Sequence, residues 1–107
     1  MKVIKGLDLT IGEGRRLIVR IYIVEKSQLF PDGIKFAIQY LFLKDAKWIE
    51  IARVDNYKHD PVKLGSHIHK LGLPKAEFRD IFPEEAVEYV VRLSESIIAR
   101  LMLEGDR

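Results

Sequence analysis

One stretch of the chain decides the fold: Arg15-Arg-Leu-Ile-Val-Arg-Ile-Tyr-Ile-Val-Glu-Lys26. From Leu17 to Ile23 every odd-numbered position is apolar, whereas Arg20 and Tyr22 stand at even-numbered positions. β-Branched residues dominate the stretch, as the pleated surface of a sheet favours. This period of two predicts a β-strand that directs one face into a hydrophobic core.

Turn signals separate this strand from three others. Gly12-Glu-Gly14 precedes it and Phe30-Pro-Asp-Gly33 follows it, and both are typical of tight connections. Further strands are predicted over residues 3–11, 34–44 and 48–55, with Asp45-Ala-Lys47 as the last turn. Because connections this short join only antiparallel neighbours, residues 1–55 are predicted to form a four-stranded antiparallel β-meander.

Alternation also predicts what each strand presents on its two faces. In the fourth strand it assigns one face to Ile49, Ile51, Arg53 and Asp55, and the other face to the residues between them. Several strands are apolar on both faces. One face is expected to pack on a helix, and part of the other to be covered by a second subunit, which predicts a homodimer.

The C-terminal part predicts a long helix. Pro83 suits its first position, and the apolar stripe of Ala86, Val90, Leu93, Ile97 and Leu101 has helical spacing up to about residue 104. Residues 56–74 show no regular pattern and are expected to be a loop, and residues 76–82 a short helical turn. The prediction is therefore one α+β domain over residues 1–107: a four-stranded meander (1–55), a histidine-containing loop (56–74) and a helical part (76–104) packed on one face of the sheet.

Composition excludes several classes of protein. The chain has no cysteine, which rules out disulfides and thiolate chemistry. Neither a signal pattern nor a membrane-spanning apolar run is present, so a cytoplasmic protein without a membrane partner is expected. Asn and Gln are scarce beside Lys, Arg and Glu, a bias seen in proteins from hot environments.

The net charge of +2 conceals an asymmetry. Residues 1–75 hold fourteen Lys and Arg against eight Asp and Glu, whereas residues 76–107 hold four against eight. A basic first part would suit an anionic partner, although the two parts could equally complement each other within one fold or between subunits.

All three histidines fall within eleven residues, in Arg53-Val-Asp-Asn-Tyr-Lys-His-Asp-Pro61 and Gly65-Ser-His-Ile-His-Lys70. If the second segment is extended, His67 and His69 point to the same side. That spacing permits two ligands of one metal ion, with His59, Asp55 or Asp60 as a third, and it equally permits an acid–base pair. A purely structural role for the histidines is the remaining alternative.

Neighbouring residues have structural and functional interpretations. Asp55 and Asn56 commonly bond their own backbone at a strand end, and Tyr57 could pack at a sheet edge or donate to a phosphate. The lysines of this region could hold a phosphate backbone: Lys58, Lys63, Lys70 and Lys75. Neither a phosphate-binding glycine loop nor a Gly-x-Ser-x-Gly elbow is present in the sequence.

These residues resemble a known family. An aromatic strand, then Asp55-Asn56 with His59 soon after, then His67-Ile-His-Lys70, is similar to the TumE-type toxins of toxin–antitoxin pairs. The likeness covers about residues 36–72. Gly65-Ser66 stands where that family has a proline-containing lead-in, and the N-terminal third shows no likeness. The resemblance implies a small toxin-like protein that acts on RNA and is neutralised by an antitoxin protein.

The first functional hypothesis is a metal-independent ribonuclease that needs no cofactor. His67 and His69 would serve as base and acid, with His59 and Tyr57 assisting. The substrate would be held by Arg53, Asp55, Asn56, Lys58 and Lys70. Two alternatives stand beside it: a non-enzymatic binding or assembly module with a basic sheet surface, and a protein that binds a metal through its histidines.

Overall fold

The computed structural model describes residues 2–28, 30–56, 66–72, 77–78, 81 and 83–105. Six strands precede one helix. The strands are β1 (Lys2–Gly12), β2 (Arg15–Ile23), β3 (Ile34–Lys44), β4 (Lys47–Asp55), β5 (His67–Lys70) and β6 (Glu77–Phe78). The helix is α1 (Pro83–Gly105).

The strands form one antiparallel sheet in sequence order, β1-β2-β3-β4-β5-β6. The predicted α+β class and the meander of β1 to β4 are therefore confirmed. The sheet is larger than expected, because β5 lies inside the predicted loop 56–74 and pairs with β4. The helical turn expected over residues 76–82 is wrong at residues 77 and 78, which form β6 against β5.

The hairpin turns follow the turn chemistry of the sequence. Gly14 and Gly33 both adopt a φ of 68°, which a residue without a Cβ reaches freely. Between β3 and β4, Asp45 and Ala46 have φ values of 53° and 63°. Two successive residues of positive φ are typical of the type I′ hairpin, whose twist matches that of the strands.

A β-bulge in β4 changes which residues share a face. Tyr40 pairs with Ala52 but Leu41 pairs with Glu50, so Ile51 is an extra residue in β4. The strict alternation predicted for this strand is wrong across that point. Glu50 lies on the same face as Arg53, and Ile49 lies on the same face as Ala52.

The core lies between α1 and one face of the sheet. The helix contacts β3 and β4. From the sheet the core receives fully buried side chains, among them Val19, Ile38, Val54 and Ile68. On the helix, Ala86 and Val90 are buried as predicted. After Val90 the buried positions are Ser94 and Ile98. The predicted Leu93, Ile97 and Leu101 lie beside them and are half-buried.

One polar cluster fastens the helix to the sheet. The buried Tyr40 hydroxyl donates to Glu95 Oε2, and Arg15 Nε donates to the same carboxylate, 2.9 Å from Oε2. Burial, then the bond to Glu95, raises the pKa of Tyr40. Burial pushes the pKa of Glu95 upward, but the hydrogen bonds from Arg15 and Tyr40 and the guanidinium charge outweigh it, so this pKa lies below its usual value.

An ion pair links neighbouring turns of α1: Glu88 Oε1 and Arg92 Nη2 lie 2.5 Å apart. Within the described ranges, no helix is both long and apolar enough to cross a lipid bilayer.

Candidate functional site

The face of the sheet turned away from α1, here called the distal face, carries most of the polar side chains of the central strands. Register places its residues in cross-strand rows. One row joins Gln39, Arg53 and His69, and the next joins Ala37, Asp55 and the backbone position of His67. Because residues opposite each other on antiparallel strands have neighbouring Cβ atoms, β5 brings a histidine beside Arg53 and Asp55.

Asp55 is the centre of this group. Its side chain is only 1% exposed, and its Oδ2 atom lies 2.9 Å from Arg53 Nε and 3.4 Å from His69 Nε2. A buried carboxylate is costly unless it is paired. The guanidinium of Arg53 therefore compensates a charge that would otherwise favour unfolding, and the His69 ring lies beside the same oxygen.

The contact between Arg53 and Asp55 is electrostatic more than a directed hydrogen bond. Arg53 Nε is buried, and its N–H is not aligned with any described acceptor despite the 2.9 Å separation. The guanidinium is shared, because its Nη1 atom lies 3.6 Å from Glu50 Oε2. Gln39 Nε2 donates to that same oxygen at 2.9 Å. A polar chain thus runs across three strands, from Gln39 through Glu50, Arg53 and Asp55 to His69.

This arrangement has a definite chemical capacity. A carboxylate against one nitrogen of an imidazole fixes the ring orientation and tautomer and stabilises the protonated ring. Asp55 contacts the ring at Nε2. His69 is about one quarter exposed, at 23%, so the ring is anchored yet accessible. These are the properties of a general acid–base group.

Asn56 has a structural role. Its Oδ1 accepts from Phe36 N at 2.9 Å, its Nδ2 donates to Ile34 O at 2.7 Å, and its own N–H donates to Phe36 O at 3.3 Å. The side-chain amide thus ties the end of β4 to β3, which fixes Asp55 in place. The sequence predicted bonds from Asn56 to its own backbone, whereas its side chain bonds the backbone of β3.

The other predicted site residues have different placements. Lys70 pairs with Ala52 and so belongs to the face that α1 covers, away from the row of Arg53 and His69. His67 is described only through its backbone, opposite Asp55. Three candidates lie outside the described residues: Tyr57, Lys58 and His59. Lys63 and Lys75, as well as Asp60, lie outside them too.

Sequence reasoning missed Gln39 and Glu50. Glu50 joins the group only because the bulge at Ile51 brings it to the face of Arg53, and the sequence pattern of β4 does not reveal the bulge. Gln39 had a weak signal, since it is the one amide in a strand of apolar residues and Lys. Among the side chains that the structure describes, no three His, Asp or Glu converge as metal ligands.

The distal face is largely charge-compensated. Besides Glu50 and Asp55, Asp8 accepts from Arg16 Nε at 2.8 Å, and this hydrogen bond lowers the pKa of Asp8. The guanidinium of Arg16 also lies over the Trp48 ring, 5.5 Å from its centre. The basic sheet surface expected from the sequence is therefore reduced to a modest positive excess.

A groove of about 220 Å³ lies elsewhere, on the outer side of α1. It is lined by Ile81, Glu85, Glu88, Tyr89 and Arg92. None of these residues belongs to the polar chain around Asp55, so the groove and the candidate site are separate features.

Comparison of the chain with protein-family models, with curated proteins and with solved structures finds no match. The likeness to TumE-type toxins therefore stays a prediction from the residues that carry it.

Proposed function

We propose that this protein is an acid–base enzyme that cleaves RNA without a metal ion, with His69 as a proton-transfer group. The observation that supports the proposal is the buried Asp55 carboxylate at 3.4 Å from His69 Nε2. A titrating ring held by a buried carboxylate is far more useful to catalysis than a freely rotating surface histidine.

RNA fits such a group because it carries its own nucleophile. His69 would take the proton of the ribose 2′-hydroxyl while that oxygen attacks the adjacent phosphorus. The bond from phosphorus to the 5′-oxygen breaks, and the departing oxygen takes a proton from an acid, for which His67 is proposed. The products are a 2′,3′-cyclic phosphate and a free 5′-hydroxyl.

Charge supports an anionic substrate. Arg53 stands beside His69 across the strands, where its guanidinium could stabilise charge on the phosphate. Arg20 lies in the same cross-strand row as Ala37 and Asp55, and adds a cation to this part of the face. Glu50 and Asp55 neutralise part of the positive charge of Arg53. The arrangement therefore favours a subsite for a single phosphate over a broad basic surface.

The test is cleavage of end-labelled RNA across the pH range in which histidine titrates. The wild-type protein should release products that end in a cyclic phosphate. His69→Ala should lose at least about a hundredfold in rate, as expected for removal of a general acid or base. His69→Gln should lose as much, although its amide can still contact Asp55, which separates proton transfer from folding.

Arg92→Ala is the control, because this exposed cation lies on α1, outside the polar chain. Cleavage at the wild-type rate by both His69 variants, purified in the same way, would attribute the activity to a contaminant and refute the proposal. Salt-sensitive RNA binding without cleavage, retained in the His69 variants, would instead favour the non-enzymatic binding module.

We also propose self-association through the helix-facing side of β1. Leu7 and Leu9 lie on that side and are 37% and 42% exposed, because α1 packs on β3 and β4. Exposed apolar residues in a row are typical of interaction surfaces. Light scattering should give the mass of a dimer, and Leu9→Glu should reduce it to that of a monomer. A monomeric wild-type protein would refute this proposal.

A further inference from the structure

Trp48 is an exposed aromatic residue with an organised setting. It stands on the distal face at the start of β4, is 40% exposed and pairs with Leu43, which is 41% exposed. Part of the indole surface is therefore accessible to a bound molecule.

The ring is held in place by a cation. The guanidinium of Arg16 lies 5.5 Å from its centre, and is itself fixed by Asp8, which accepts from both Nε and Nη2. A guanidinium over an indole is attractive, and this geometry limits the positions the ring can adopt. An aromatic side chain held in this way makes a ready-made surface for stacking.

Trp48 shares its face with the proposed acid–base group. On β3, Leu43 is the cross-strand partner of Trp48, and Gln39 is the partner of Arg53, which in turn pairs with His69. Four residues of extended strand separate the two rows by roughly 13 Å. The intervening row carries Glu50, whose carboxylate is already bound by Gln39 and Arg53.

We propose that Trp48 and Arg16 form a nucleobase-stacking subsite for single-stranded RNA that leads to His69. Stacking on aromatic side chains is the general way in which proteins hold unpaired bases, and every base offers a suitable face. Single-stranded sites commonly cover about 4–16 nucleotides, so a separation of roughly 13 Å lies within one bound oligonucleotide.

Charge favours an anionic occupant. Four cations with described positions belong to the distal face, Arg16, Arg20, Lys35 and Arg53, against three acids, Asp8, Glu50 and Asp55. Arg16 can serve the backbone of the same nucleotide whose base stacks on Trp48. This proposal rests on the proposed function for its choice of RNA, but its test does not need cleavage.

The chain contains one tryptophan, so its fluorescence reports on Trp48 alone. The probe is a single-stranded DNA oligonucleotide, which lacks the 2′-hydroxyl and cannot be cleaved by the proposed route. Wild-type protein should show saturable quenching of this fluorescence. An abasic oligonucleotide of equal length should quench weakly, because it offers phosphates without bases. Equal quenching by both would overturn the proposal.

Variants give the second readout, with binding followed by the anisotropy of a fluorescein-labelled oligonucleotide. Trp48→Ala should weaken binding about tenfold or more, and Trp48→Phe should recover part of it. Leu103→Ala is the control. Leu103 is an exposed apolar residue like Trp48, but it lies near the C-terminal end of α1 and belongs to neither proposed surface.

The outcomes separate the two proposals. Base-dependent quenching without RNA cleavage would keep the stacking subsite and reject the ribonuclease. Cleavage by the wild-type protein with unchanged affinity in Trp48→Ala would reject the subsite alone. A change of oligomeric mass in Trp48→Ala, with no effect on oligonucleotide affinity, would identify the patch as a protein contact and overturn the proposal.

Discussion

The contact between Tyr40 and Glu95 predicts a measurable coupling between helix and sheet. Tyr40 is 1% exposed, and its hydroxyl donates to the Glu95 carboxylate. Glu95→Ala would leave that buried hydroxyl without its acceptor, which costs about 1–3 kcal/mol. The same change removes the ion pair between Glu95 and Arg15. The Arg15 side chain is 24% exposed and the Glu95 side chain 40%, and ion pairs this exposed contribute at most about 1 kcal/mol.

The total expected loss for Glu95→Ala is therefore about 1–4 kcal/mol in the free energy of unfolding. Tyr40→Phe should cost about 1 kcal/mol, because Glu95 keeps Arg15 and contact with water. In the double variant the hydroxyl is already gone, so removal of Glu95 costs only the ion pair. The coupling energy between the two changes should therefore equal the cost of the orphaned hydroxyl, about 1–3 kcal/mol.

Urea unfolding followed by circular dichroism measures all four proteins, provided that each unfolds in a two-state transition. Glu95→Gln is the matched control, because its amide oxygen can still accept from Tyr40 while the charge is lost. It should be clearly more stable than Glu95→Ala. Additivity of the two single changes within about 0.3 kcal/mol would refute the reasoning, since uncoupled sites behave in that way.

Two further predictions concern the same core. Because the folded state holds the pKa of Tyr40 above the ordinary value of 10.0, the unfolded chain ionises first. The contribution of Tyr40 to stability should therefore be fully present below pH 10.0 and fall as the pH rises beyond it. The fall is measured as the change of the urea unfolding midpoint with pH, and it should be smaller in Tyr40→Phe. An identical dependence on pH in both proteins would contradict a raised pKa of Tyr40. Ser94 is fully buried and its Oγ has no hydrogen-bond partner among the described residues. Ser94→Ala should therefore add about 1 kcal/mol to the free energy of unfolding and raise the melting temperature. A lower melting temperature would show that the hydroxyl is hydrogen-bonded.

The sequence predicted the parts of the fold that local chemistry controls. Alternation from Leu17 to Ile23 and the turn residues before and after β2 are enough for the meander, because short hairpins permit only antiparallel neighbours. Pro83 predicted the first residue of α1 for a similarly local reason.

Long-range features escaped prediction. β5 has four residues and exists because it pairs with β4 across an intervening segment, so its local pattern was too short to reveal it. The bulge at Ile51 depends on the register against β3 rather than on the residue itself. Ser94, a polar residue, stands in the middle of the helix stripe, where a scan for apolar spacing passed over it.

The candidate site divides in the same way. The segment that holds Asp55 and His69 was identified from residue types alone. That Arg53 faces His69, and that Lys70 belongs to the opposite face, follow from the pairing of β4 with β5. The residues of β5 alone do not determine that register, and a shift by one residue would exchange the two faces.

The central claim is that Asp55 holds the His69 ring through Nε2. The ¹⁵N chemical shifts of the neutral His69 ring test it directly, because they distinguish the two tautomers. The account predicts a ring protonated at Nε2 in the wild-type protein, and a mixture of tautomers in Asp55→Asn. A proton on Nδ1 in the wild-type protein, or identical spectra for the two proteins, would contradict it.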